Sequence, residues 1–300
     1  APDTRMHLNI LGAAAGGGLP QWNCGCRNCT DARAGRLARM TQSSVALSRD
    51  GDSWLLLNAS PDLRTQIEAA EALRPRQLRH SPIAAVVVTN ADVDHIAGLL
   101  TLREKAAFDL FATPEVQATL AGDAVFGVLD RSLVRRREMH LDVPFEPLPG
   151  LRITPFAVPG KVALYLEGDS VGLEELGEQT VGLMIEDGTA RVAYVPGCAA
   201  LPDWLVAQLG TADVLLFDGT VWEDDDMKRT GTGEKTGARM GHVPMRGPAG
   251  SLARLAGLKA RRIYIHINNT NPVLQADGTE RAEIEAAGWE LAQDGLEITL

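Results

Sequence analysis

Short apolar runs alternate along the chain with polar breaks marked by Gly, Pro and Asp. Runs rich in β-branched and aliphatic residues predict strands over 7–11, 44–47, 54–58, 83–89, 109–112, 152–158, 181–186, 191–195, 214–217 and 262–266. Helical spacing predicts helices over 62–73, 96–107, 114–120, 202–209, 248–255 and 280–287, several opened by Pro or Asp in the first turn. Strands follow one another without an intervening helix both early and in mid-chain. That excludes plain βαβ alternation and favours an α/β (α+β) arrangement of mixed sheets sandwiched by helices. No repeat or low-complexity linker divides the 300 residues, so one domain over 1–300 is expected. The stretch 221–245, VWEDDDMKRTGTGEKTGARMGHVPM, is rich in Gly and charge and is expected to be a long loop near a site.

Charge narrows the partners. Lys+Arg number 29 and Asp+Glu 39, a net charge of −10. That argues against a nucleic acid held by phosphate neutralisation and against an anionic membrane surface. No apolar run approaches the roughly 18 residues of a membrane span. The opening APDTRMHLNIL lacks the basic start and apolar stretch of a secretory leader, so a cytoplasmic protein is expected. A homodimer is expected only on the general frequency of twofold oligomers.

Three of the four cysteines crowd together as Cys24, Cys26 and Cys29. A reducing compartment disfavours a structural disulfide. Three thiolates from one turn would instead hold a structural Zn²⁺, with the fourth position left to His242 or Asn269. An iron–sulfur cluster is the lesser alternative, and Cys198 in VPGC is expected to pack. Neither GAAAGGGLP (12–20) nor GTGEKTG (231–237) matches a phosphate-binding pattern, since Glu234 stands where a P-loop needs glycine, and both are expected to be tight backbone packing.

The stretch TNADVDHIAGLL places Asp92, Asp94 and His95 after a buried strand; Asp218 follows VLLF and His266 follows IYI. Strand C-termini are where such folds gather sites. Carboxylates and imidazoles buried together require pairing or a cation, so these residues predict a metal site.

Here the chain resembles the metallo-β-lactamase superfamily, whose signature is H-x-H-x-D-H after a buried strand. Asn90, Asp92, Asp94 and His95 occupy the four signature positions, and Ala157 in FAVPGK stands where a third histidine is usual. Asp218 matches the bridging carboxylate and His266 the last histidine. Half of a two-metal site is thus retained. More closely, the stretches LGAAAGGGLPQWNCGCRNC, TQSSVAL, LLLNASPDLR, RHSPI, VDHIAGLLTLRE, AYVPGC, LLFDGTVWEDDDM and HINNTNP resemble the B-protein family of pyrroloquinoline quinone (PQQ) biosynthesis.

This resemblance implies an αββα sandwich and a structural zinc on the cysteine loop, with its fourth ligand at Asn269. It also implies a role in making PQQ. Asp94, His95, His266 and Asp218 are the expected active-site metal ligands. Two imidazoles and a carboxylate with open positions suit non-haem Fe(II) or a hydrolytic zinc, and ligand identity alone does not choose. The family tips the expectation to Fe(II), with O2 as co-substrate, in hydroxylation of a tyrosine-derived PQQ precursor that arrives free or within a peptide. Other PQQ-biosynthesis proteins are expected partners. The alternatives are a mononuclear metallohydrolase in the same pathway and a non-catalytic carrier of PQQ or its precursor. Asp92 is expected as a further ligand or as the acceptor orienting an imidazole, and His242 as an acid–base group or substrate contact. Lys161 and the arginines of KRTGTGEKTGAR would meet substrate carboxylates or lie on a solvated face.

Overall fold

The computed structural model describes residues 5–160 and 177–300. Among these, fourteen strands form two seven-stranded sheets. The first sheet holds β1 (His7–Gly12), β2 (Ser44–Ser48), β3 (Trp54–Leu57), β4 (Ile83–Val87), β5 (Phe108–Ala112), β6 (Val134–Glu138) and β14 (Leu296–Thr299), in the order β14-β1-β2-β3-β4-β5-β6. The second runs β13-β12-β11-β10-β9-β8-β7. Its members are β7 (Phe145–Leu148), β8 (Leu151–Ala157), β9 (Val181–Glu186), β10 (Arg191–Val195), β11 (Val214–Asp218), β12 (Arg261–Ile265) and β13 (Trp289–Leu291).

Both sheets are mixed in the same way. Pairing is parallel from β3 through β6 and antiparallel from β3 back to β14. It is parallel from β10 through β13 and antiparallel from β10 back to β7.

Side-chain alternation explains why the strands read as continuous apolar runs. In β3, Leu55 and Leu57 join the core between the sheets with Leu183, Ile185 and Leu216, while Trp54 and Leu56 face helix residues such as Leu63 and Leu120. Strands with both faces covered need no polar side. Helices flank the pair, among them α1 (Arg27–Arg33), α2 (Leu63–Ala69), α3 (Val93–Ile96), α4 (Pro114–Gly122) and α5 (Asp203–Leu209). Helix α4 starts where Thr113 accepts a bond from Val116 N and Pro114 supplies the first turn. The two sheets pack face to face with helices outside them, the αββα sandwich that the resemblance implies.

Two expected elements shift. The helix expected over 96–107 begins earlier, as α3, and continues as a 3-10 turn only to Arg103. The stretch 221–245 is not structureless, since α6 (Asp226–Arg229) and α7 (Gly237–Met240) lie within it, followed by α8 (Ser251–Arg254) and, later, α9 (Thr279–Ala286). Asp226 anchors α6 by accepting from the backbone N of Trp222 and of Glu223.

Candidate metal centres

The C-terminal ends of parallel strands from both sheets meet at one edge. Beyond β4 the chain turns into α3, which carries Asp94 and His95; β11 ends on Asp218, and His266 follows β12. His266 has φ +56°, a left-handed conformation that a non-glycine seldom adopts. Bonds on either side hold it there. Ile265 O accepts from Gly219 N at 2.7 Å, and Ile267 N donates to Ala13 O at 2.9 Å.

The imidazoles of His95 and His266 are aimed by their Nδ1 atoms. His95 Nδ1 lies 2.7 Å from Asn90 Oδ1, which also accepts from Asp92 N at 3.0 Å. His266 Nδ1 lies 2.8 Å from Thr220 Oγ1. That hydroxyl has one proton and two acceptors for it, Asp218 Oδ1 at 2.7 Å and the His266 carbonyl at 2.8 Å. With that proton given to the Asp218 carboxylate, its oxygen can accept from His266 Nδ1. Both Nε2 atoms are thereby turned to Asp94 Oδ2, at 3.1 Å from His266 and 3.6 Å from His95.

Burial alone would raise the Asp94 pKa, but the neighbouring His95 imidazole and the His266 hydrogen bond hold it far below the usual carboxylate range. Burial would lower that of His266, yet its bond to Asp94 and the charges of Asp94, Asp218 and Asp92 raise it. His95 is pushed down, chiefly by burial, which Asp94 offsets only in part.

His95 Nε2 is the telling atom. It is buried and has no hydrogen-bond partner among the described residues, and a buried polar atom without one is costly. One carboxylate oxygen and two imidazole nitrogens lie within 4.8 Å of one another here. The donor set and the orphaned lone pair fit a metal ion.

One expectation is corrected at this site. The acceptor that orients an imidazole is Asn90, not Asp92, whose carboxylate makes no hydrogen bond among the described residues. Asp218 groups with His242 and His266, a second set of ligand atoms within 4.8 Å of one another that could hold a metal ion and that shares His266 with the first. Its carboxylate, fully buried, accepts from Cys198 N (3.0 Å), Thr220 N (3.0 Å) and Thr220 Oγ1 (2.7 Å), and lies 2.7 Å from His242 Nδ1. Thr220, at the centre of this network, was not singled out from the sequence; the D-G-T that closes a buried strand was its one signal. His242 stacks on His266 with ring centroids 5.1 Å apart, and it also borders an open groove of about 550 Å³ lined by Pro159, Ala199, Trp204, Val243 and Arg254. Ala157, at the end of β8, offers no ligand atom. Lys161 lies outside the described residues, and Arg229 is engaged by Glu223 and Asp225.

The cysteine loop forms a second cluster. The three Sγ atoms lie within 4.8 Å of one another, with Cys24 and Cys29 buried. Asn269 Nδ2 is 3.3 Å from Cys29 Sγ and 3.9 Å from Cys26 Sγ. Burial pushes the Cys26 thiol up to about 12. Burial acts the same way on Cys29, but bonds from Asn269 and Gln21 N outweigh it and bring that thiol down. Of the two expected fourth partners, the fold puts Asn269 beside the sulfurs and His242 beside Asp218. A carboxamide ligates a cation through oxygen, so the amide would present Oδ1 to a metal held here. Cys198 is buried and donates to Ala200 O, as a packing residue should.

The chain is similar to known proteins over nearly its whole length. A family profile described as a Beta-lactamase superfamily domain matches residues 53–267. Coenzyme PQQ synthesis protein B of Ruegeria pomeroyi is 58% identical over 295 residues, covering 98% of this chain and 100% of its own. The protein of the same name from Methylorubrum extorquens is 56% identical over 299 residues, with 98% and 100% covered. The crystal structure of Zn²⁺-bound PqqB from Methylobacterium extorquens matches with a TM-score of 0.96 at 55% identity, over 98% of this chain and 100% of that one. A diphosphatase of the PhnP family shares the fold at a TM-score of 0.71 and 23% identity, over 99% and 97% of the two chains.

Proposed function

The chain belongs to the coenzyme PQQ synthesis protein B family, within the metallo-β-lactamase superfamily, and from that premise we propose that it is an Fe(II)- and O2-dependent hydroxylase of a tyrosine-derived PQQ precursor. The observation that carries the reading is the convergence of His95 Nε2, His266 Nε2 and Asp94 Oδ2, with His95 Nε2 buried and otherwise without a partner. Two imidazoles and one carboxylate are the donor set of mononuclear iron oxygenases, and positions 90, 92 and 157 hold none of the histidines a second metal would need. Fe(II) bound there would supply one-electron chemistry with O2 beside the substrate.

The chain's own contributions are separate. Asn90 and Thr220 fix the two ligand imidazoles in orientation. Asp218 holds His242 through Nδ1, leaving Nε2 as the atom free to meet a substrate hydroxyl or a proton in transit. The groove beside His242 is of a size for a small molecule or a peptide end. On the same reading the cysteine cluster with Asn269 holds a structural zinc that pins the first loop to the segment after His266.

Electron paramagnetic resonance on anaerobically Fe(II)-loaded protein exposed to nitric oxide tests the proposal. A high-spin iron–nitrosyl signal in the parent, lost in His266→Ala, is expected. Turnover that continues without O2 would sink it in favour of a hydrolase.

A further inference from the structure

Asp94 and His95 come from the first sheet and His266 from the second, so the metal cluster depends on how the two sheets are held together. A residue outside the cluster joins them. Asn58 follows β3, is fully buried, and has both ends of its carboxamide in use. Its Oδ1 accepts from Thr89 N at 2.9 Å, which fixes the orientation of the amide. Nδ2 then donates one proton to Thr89 Oγ1 at 2.9 Å and the other to Tyr194 Oη at 3.2 Å. Thr89 immediately precedes Asn90, the acceptor that orients His95. Tyr194, also fully buried, lies on β10 of the second sheet, which only β11 separates from the strand that His266 follows.

The backbone of the same turn holds the far end of the ligand-bearing segment. Ala59 N donates to the carbonyl of His95 at 2.8 Å, and Gly98 N donates to Ala59 O at 3.0 Å. A Cβ on Gly98 would stand 2.2 Å from Ser60 O, so this close approach needs glycine. The segment from Thr89 to Gly98, which carries Asp94 and His95, is thus fastened at its start by the Asn58 side chain and at its end by the Ala59 backbone. Asn58 has φ +63°, a left-handed conformation that asparagine adopts more readily than most residues. Glycine would keep that backbone but lose the carboxamide, and aspartate would keep the acceptor but lose the donor.

We propose that Asn58 is a positioning residue for the Asp94, His95 and His266 cluster, its carboxamide holding the His95 segment against the second sheet through Thr89 and Tyr194. The inference rests on the metal-site reading above. It extends that reading from the residues that orient each imidazole to one that sets the spacing between them.

Cobalt(II) serves as the test metal, because its visible bands report the geometry of its ligands. Absorption that His266→Ala abolishes belongs to the cluster, and absorption that Cys29→Ala abolishes belongs to the cysteine loop, which acts as an internal control. Asn58→Gly removes the carboxamide, and Tyr194→Phe removes only the bond to the second sheet. Ser44→Ala is the control for lost stability, since Ser44 Oγ donates to Asn58 O at 2.8 Å and leaves the carboxamide alone. Cobalt affinity at the cluster is expected to fall about 10-fold in Asn58→Gly and about threefold in Tyr194→Phe, at or below the lower end of what losing a direct partner of a ligand costs, with the bands shifted in both. Ser44→Ala should match the parent, as should the cysteine loop in every variant. If Asn58→Gly does not fold, Tyr194→Phe decides alone. Unchanged affinity and bands at the cluster in either folded variant, an equal loss in Ser44→Ala, or equal losses at both cobalt sites overturn the inference and leave the metal reading standing. A parent that binds no cobalt at this cluster overturns both.

Discussion

Asn90 Oδ1 stands 2.7 Å from His95 Nδ1, and that single contact decides which nitrogen of the ring faces Asp94. The amide's orientation is fixed in turn, because the same Oδ1 accepts from Asp92 N at 3.0 Å, which an amide nitrogen cannot do. His95 must then hold its proton on Nδ1 and leave the lone pair of Nε2 buried without a partner. At the signature position where the superfamily places a histidine, this chain has a residue that serves the remaining site.

Removing that acceptor should loosen the metal. Asn90→Ala is expected to lower Fe(II) or cobalt affinity by about 10- to 100-fold, the usual cost of losing the partner of a ligating imidazole. Asn90→Asp keeps the acceptor and should retain affinity near that of the parent. Chelator competition measures both, and an alanine variant that binds as tightly as the parent would show that Asn90 does not set the ring.

The cysteine cluster makes a separate prediction. If Asn269 completes a zinc site with Cys24, Cys26 and Cys29, Asn269→Ala should release zinc to a chromogenic chelator about 10-fold faster or more, whereas Asn269→Asp, with a carboxylate in the same place, should hold it. Cys29→Ala should lower the zinc content by one equivalent and also the melting temperature, since Asn28 ties this loop to Asn269 O and Asn271 O. Release rates equal to the parent's in Asn269→Ala would remove Asn269 from the site.

The sequence made the inner parts of both sheets legible and hid their rims. Each of the ten expected strands is present, and the four it missed, β6, β7, β13 and β14, are the four edge strands. The reason is physical. An edge strand is short and carries charge, as in VRRRE of β6, whose Arg135 and Arg137 pair with Asp109 on β5. Apolar periodicity cannot report such a strand. At the site, residue types and strand ends were readable, but partners were not. That Asn90 rather than Asp92 meets His95, and that Asp218 turns to His242, depends on local geometry such as the left-handed His266. Hydropathy carries no trace of it.

Thr220 is the point where the two histidine groups meet. Thr220→Val keeps the shape, but removes a buried hydroxyl that serves Asp218 Oδ1, His266 Nδ1 and the His266 carbonyl. The loss should cost about 1–3 kcal/mol of stability, the range for leaving buried polar groups unsatisfied. Thr220→Ser should recover most of it. Urea unfolding of metal-free protein measures both, and a valine variant as stable as the parent would mean that water or a rotated partner replaces the hydroxyl.

Asp226 should give the stability a pH dependence of unusual sign for a carboxylate. Burial is the largest influence on it and lifts its pKa to about 6, against the pull of hydrogen bonds from Trp222 N and Glu223 N and the charge of Arg229. The native state therefore binds this proton more tightly than the unfolded chain, where the group titrates near 3.8. Between those two values the native state holds more protons, so this contribution to stability falls as pH rises, by at most about 3 kcal/mol over the window, and is flat above it. Most paired carboxylates act in the opposite direction. Asp226→Asn removes the titration but keeps one acceptor for Trp222 N. The difference in unfolding free energy, parent minus variant, should therefore decline from about pH 4 to about pH 6. Subtracting the variant cancels the acid sensitivity of the thiolates and histidines, which both proteins share. Parallel curves across that window would mean that Asp226 is ionised in the folded protein throughout, and that the start of α6 is held by a charge instead of by a shared proton.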